Sequence, residues 1–119
     1  MLRAGWGRIL AVSSVAGLHG NVGQTNYCAA KAAVIGFVKA LARETAAKGI
    51  TANVVAPGYV RTVMFDALDE RVQEHAIGQV PAGRLGEPEE IAEVIAFLAS
   101  PGASYVTGAV VVADGGLSS

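Results

Sequence analysis

The sequence predicts an α/β fold, a small parallel sheet flanked by helices. Two observations carry the prediction. Three short runs, RILAVSS (8–14), ITANVVA (50–56) and GAVVVADGG (108–116), are continuously apolar instead of alternating, as strands buried on both faces are. Between them lie stretches with helical spacing, so the order reads β-α-β-(α)-α-β. A helix between successive strands is the mark of parallel pairing.

The first strand is expected over 8–14, where it runs out into polar residues and glycines. A glycine-rich loop, 15–26, follows. An alanine-rich helix is expected over 26–48, with Thr25 or Asn26 as N-cap and Gly49 as its stop. The second strand, 50–56, is closed by Pro57-Gly58. The region 59–86 is less regular: from Thr62 to Gln79 it is weakly helical and charged, and Gly78 and Pro81 break it. A strong helix spans 88–100, with Pro88 in its first turn, acids beside it, and Ile91, Val94, Ile95 and Leu98 along one stripe. The last strand is placed at 108–113.

Three strands make a small sheet for this architecture, and only two strong helices are on hand to cover it. The chain also begins almost directly on a core strand, without the glycine-rich phosphate turn of a dinucleotide fold. Part of the structure is therefore expected to lie in another chain or to be missing from this sequence.

Composition narrows the function. The 119 residues carry 9 basic and 10 acidic side chains, a net charge of −1, with the signs interspersed. Neither nucleic acid nor an anionic membrane surface is an expected partner of such a chain. Lys31, Lys39, Arg43 and Glu44 interrupt the longest apolar helix, which argues against a membrane span. Cys28 is the only cysteine and has no internal disulfide partner, so a reducing, cytoplasmic setting is expected. With two scattered histidines and one cysteine, no metal site is expected.

Chemistry enters at NYCAAK (26–31), which sets Tyr27 one helical turn before Lys31. Side chains at i and i+4 stack on one helix face. A phenol holds its proton at neutral pH, whereas a neighbouring ammonium favours the phenolate. That spacing makes Tyr27 a candidate general acid/base and Lys31 its electrostatic partner. An amphipathic surface residue beside a core aromatic is the bland alternative. Ser14 ends the preceding strand, where α/β sheets hold their ligands. Pro57-Gly58 ends the next, with a fixed φ and a backbone open to close approach. Taken singly, each is more often a plain strand ending. Cys28, Phe37, Phe97 and Trp6 read as packing or interface residues, His75 as exposed, and His19 as an exposed loop residue with lining of the cleft entrance as its alternative. Arg43, Glu44, Arg61 and Arg84 read as surface charges, with Arg61 close enough to the turn after strand two to meet a phosphate.

Together these motifs resemble the C-terminal half of a classical short-chain dehydrogenase/reductase, and are most similar to its 3-oxoacyl-(acyl-carrier-protein) reductase branch. The resemblance runs through SS (13–14), GQTNYCAAK (23–31), LARETAAKGITANVVAPGYVRT (41–62), VPAGRLGEPEEIAEVIAFLAS (80–100) and YVTGAVVVADGG (105–116), nearly the whole chain. It implies three parallel strands of a Rossmann-type doubly wound sheet, incomplete without an N-terminal half. It implies an oxidoreductase of fatty acid biosynthesis that uses NADP or NAD to reduce a small-molecule carbonyl or acyl thioester. By position, Ser14 matches the serine that binds the substrate carbonyl, Tyr27 the tyrosine that passes it a proton, and Lys31 the lysine that holds the nicotinamide ribose. Pro57, Gly58 and Val60 match the turn that seats the nicotinamide, and Thr62 the hydroxyl that meets its carboxamide or phosphates. The family also implies a homo-oligomer, joined through helix 26–48 and the C-terminal strand region.

The family's phosphate-binding turn, its Asn-Asn-Ala-Gly-like segment and its catalytic asparagine have no counterpart in this sequence. Cofactor binding by these 119 residues alone is thus in doubt, and the isolated chain is expected to be inactive. The alternative is a non-catalytic module that only self-associates or pairs with another chain.

Overall fold

The computed structural model describes residues 1–119. Strands β1 (Gly7–Val12), β2 (Ile50–Pro57) and β3 (Val110–Ala113) form one parallel sheet in the order β1-β2-β3. Helices α1 (Val15–His19) and α2 (Thr25–Thr45) connect the first two strands. Helices α3 (Val63–Asp66), α4 (Glu70–Gly78) and α5 (Pro88–Ala99) connect the second and third.

The apolar runs become a sheet because β2 is central. Its residues Ile50 to Ala56 are all buried, with Ile9 opposite Ala52 on one side and Val54 opposite Val110 on the other. Alternation along β2 then feeds two cores. Ala52 and Val54 meet Ile35, Val38 and Ala42 of α2, while Val55 meets Leu98 of α5 and Ala103. Both faces of the strand are packed, as its mostly apolar run requires.

Several boundaries differ from the sequence-based expectation. β1 stops at Val12, short of 14, because Ser14 turns its side chain to cap a helix: its Oγ accepts from the Ala16 N–H at 3.1 Å. The expected loop 15–26 accordingly begins with the short helix α1. α2 starts at Thr25 with Gln24 at the N-cap position, and it tightens into a 3-10 turn over Ala46–Lys48 before Gly49, whose φ is 71°. β3 begins at Val110 and not at 108, because the segment before it joins β2 partly through side chains. The Thr107 hydroxyl oxygen accepts from Ala52 N–H at 3.1 Å, and the Asn53 side chain bridges Val106 C=O at 2.8 Å and Ala109 N–H at 3.0 Å. Asn53 is fully buried in the central strand, and these two bonds satisfy it.

The sheet's carboxyl ends, the α1–α2 junction and the chain terminus gather on one side of the molecule. No helix is long and apolar enough to cross a membrane.

Candidate active site

The site is built around the first turns of α2. Tyr27 and Lys31 stack one turn apart, with the Lys31 ammonium 5.7 Å from the centre of the Tyr27 ring. Lys31 Nζ donates to the Val12 carbonyl at 3.3 Å, so the last residue of β1 anchors the ammonium. Ser13, buried beside it, donates its hydroxyl proton to the Lys31 carbonyl at 2.8 Å, while its own N–H bonds Val55 C=O at 2.8 Å. α1 presses on the same point. A Cβ placed on Gly17 would lie 2.9 Å from the Lys31 carbonyl carbon, so only glycine lets the two helices approach this closely. Strand, short helix and long helix thus converge on Lys31.

In front of this junction lies a cleft of about 690 Å³. Ser14, Tyr27 and Gly58 line it together, with Val15, Tyr59, Met64 and Leu117 as its main apolar surface. The Ser14 oxygen accepts from Ala16 N–H, which leaves its own proton free to donate into the cleft. Tyr27 is 42% exposed, so its phenol is reachable. Chemically, two hydroxyl donors on one cleft, one backed by a fixed ammonium, can bind an oxygen that gains negative charge and hand it a proton.

The other expected site residues lie around the cleft and do not line it. Lys31 stands behind Tyr27. Pro57 ends β2, and Val60 forms a parallel bridge with Gly86. Thr62 caps α3, its hydroxyl oxygen accepting from Phe65 N–H at 3.0 Å. Gly58 carries a surprise: the space beside its Cα is filled by Asp114, whose Cβ would be 2.6 Å from a Cβ at that position. Its glycine is required by the protein itself.

Of the remaining residues, His19 ends α1 and lines the cleft, and Cys28 is half-buried. His75 pairs with Gln79 through Nε2 at 3.0 Å. Arg61 is engaged by Glu87 at 3.1 Å and Asp66 at 3.4 Å. Arg84 grips Glu90 with two bonds of 2.7 Å, and this contact, with the Glu87 N–H, holds the Glu90 carboxyl down at about 2.

Sequence reasoning passed over Ser13, Gly17, Asp114 and the terminal residues Leu117 and Ser118, which also line the cleft. The clue for the last three was present in ADGGLSS, an aspartate ahead of glycines and a serine, the composition of a side-chain-closed turn.

The profile of the family described as enoyl-(acyl carrier protein) reductase matches residues 1–118. The 3-oxoacyl-(acyl-carrier-protein) reductase FabG of Pseudomonas aeruginosa is 56% identical over 117 residues, 98% of this chain and 47% of that protein. FabG of Vibrio cholerae is 53% identical over 98% of this chain and 48% of its own length. An acetoacetyl-CoA reductase of Shinella zoogloeoides is 54% identical over 93% of this chain and 46% of its own length. The chain spans about half the length of the curated relatives it matches.

Proposed function

The chain belongs to the short-chain dehydrogenase/reductase family, and we propose that it is the carbonyl-handling half of an NAD(P)H-dependent reductase of 3-oxoacyl thioesters. The observation that carries this reading is the shared cleft of Ser14 and Tyr27 with Lys31 fixed behind the phenol. Relatives named for 3-oxoacyl-(acyl-carrier-protein) and acetoacetyl-CoA reduction support the proposed substrate class.

The residues fit a nicotinamide nucleotide in part. One N–H of Lys31 is used on Val12, which leaves two for ribose hydroxyls. The Thr62 oxygen is a cap acceptor, which leaves its proton for a carboxamide or phosphate. Tyr27, Pro57 and Val60 complete the proposed set. Gly58 contributes through the shape of its turn, since Asp114 fills the space a bare backbone would offer. Bound there, NADPH or NADH would supply the hydride.

In the proposed reaction Ser14 and Tyr27 both donate to the substrate carbonyl oxygen. Hydride addition at the carbonyl carbon would move the C=O π pair onto that oxygen, where the two hydroxyl donors meet the charge. Tyr27 then transfers its phenolic proton to it, completing the alcohol, and the Lys31 ammonium stabilises the phenolate left behind. Such chemistry on soluble thioesters, in a chain whose single cysteine has no partner, belongs in the cytoplasm.

A second reading, self-association, is favoured by the outer face of α2. Asn26, Ala30, Ala33, Phe37, Ala40 and Glu44 follow helical spacing and are all exposed, and Phe37 is 65% exposed. The two readings are compatible in a homo-oligomer.

A hybrid enzyme tests the catalytic reading. This chain is grafted in place of the matched half of the Pseudomonas aeruginosa relative, and NADPH absorbance is followed with an acetoacetyl thioester. Turnover is expected. A hybrid that folds and binds NADPH yet leaves the absorbance flat would remove the basis of the proposal.

A further inference from the structure

Asp114 follows β3, and its carboxylate accepts from Gly116 N–H at 2.9 Å, Ser118 N–H at 2.8 Å and the Ser118 hydroxyl. These bonds fold the chain end back on itself, through Gly115 and Gly116 at φ 63° and 90°. Ala82 N–H clasps the Gly115 carbonyl at 3.0 Å, and Ser119 N–H the Gly116 carbonyl at 3.1 Å. Leu117 and Ser118 are thereby set as one wall of the cleft that holds Ser14 and Tyr27. On its other side the Asp114 backbone and Cβ rest on Gly58, whose N–H donates to the Ala113 carbonyl at 3.1 Å. One residue therefore joins the terminal turn to the turn after β2.

We propose that Asp114 is a positioning residue, and that the wall it holds, Leu117 above all, receives the apolar acyl tail of the substrate. This rests on the thioester-reductase reading. The cleft offers two hydroxyls for a carbonyl and an apolar surface of Val15, Tyr59, Met64 and Leu117 for whatever hangs from it, a match for an oxoacyl chain. Asp114 itself is occupied by its own turn and touches no reacting atom. Burial pushes its carboxyl up, but the bonds from Ser118, Gly116 and Leu117 outweigh burial and hold it below its ordinary value, so the turn is closed at neutral pH.

The test is amide NMR of the 15N-labelled 119-residue chain, titrated with acetoacetyl- and 3-oxooctanoyl-N-acetylcysteamine. A methylene taken from water is worth about fourfold in affinity, so partial burial of the longer tail is expected to bind it about tenfold tighter. Signals of Ser14, Tyr27, Leu117 and Ser118 are expected to move. Asp114→Ala and, as a variant that leaves the turn's hydrogen bonds intact, Leu117→Ala should each cut the tail preference to about twofold. Asp114→Asn, which keeps an acceptor oxygen, should retain most of it. Amide dispersion like that of the wild type in the variants separates positioning from general loss of structure. Movement at Ser14 and Tyr27 with the tail preference intact in both Asp114→Ala and Leu117→Ala overturns the wall and leaves the reductase reading standing. No movement at Ser14 or Tyr27 with either thioester, in a wild-type chain with a dispersed spectrum, overturns the wall, while the reductase reading stands or falls separately on the turnover of the hybrid enzyme.

Discussion

At Gly58 and at Glu90 single residues show how neighbours decide a role that residue type leaves open. The Pro57-Gly58 pair is legible in the sequence as a strand-ending turn, and a close approach is the natural reason for its glycine. The approaching group is Asp114, far along the chain, which no local spacing could reveal. Ser14 was legible as a strand-end serine, but its capping of α1 was not, because the glycines after it mask a five-residue helix. Glu90 gives a pH prediction with a definite sign. Its carboxyl lies at about 2 in the folded chain against an ordinary 4.5, held by Arg84 first and by the Glu87 N–H second. A depressed folded value means that the contact stabilises fully above pH 4.5 and loses its contribution as the pH falls from there through about 2. Carboxyl-carbon NMR should place the Glu90 midpoint near 2, and Arg84→Ala should move it back toward 4.5. An unmoved midpoint in the variant would show that Arg84 is not the cause.

Among the elements, the junction of β1, α1 and α2 matters most, because three segments meet at Lys31. The helix carrying Tyr27 and Lys31 is readable from its alanine-rich spacing and the glycine that ends it. Its position against the strand is not readable, since it depends on the Ser13 hydroxyl reaching the Lys31 carbonyl and on the bare Gly17. Gly17→Ala should therefore do more than a usual helix substitution. Alanine is the better helix former, yet its methyl would sit 2.9 Å from the Lys31 backbone and push α1 away. Overpacking of this kind costs about 1–3 kcal/mol. Urea unfolding should show that loss, and a stabilised Gly17→Ala variant would mean that the two helices are not held this closely.

For the whole molecule, the continuous apolar strands made the parallel sheet and its two helical covers legible. The strand ends were less so, because β3 is prefaced by side-chain bonds from Asn53 and Thr107 that mimic a ladder. Only 18 of 119 residues are buried, and Trp6, Phe37, Phe97 and Tyr105 are all exposed, so much apolar surface faces solvent. Self-association through α2 predicts that Phe37→Glu lowers the sedimentation coefficient toward that of a monomer. An unchanged coefficient would place the contact elsewhere. The catalytic reading meets its most direct test in the initial rate of NADPH oxidation by the hybrid reductase, measured for the parent hybrid and for its Tyr27→Phe variant. Loss of the phenolic proton donor predicts a fall in kcat of about 10²–10⁴-fold with NADPH affinity retained. A Tyr27→Phe hybrid that turns over at the parent rate would contradict the account.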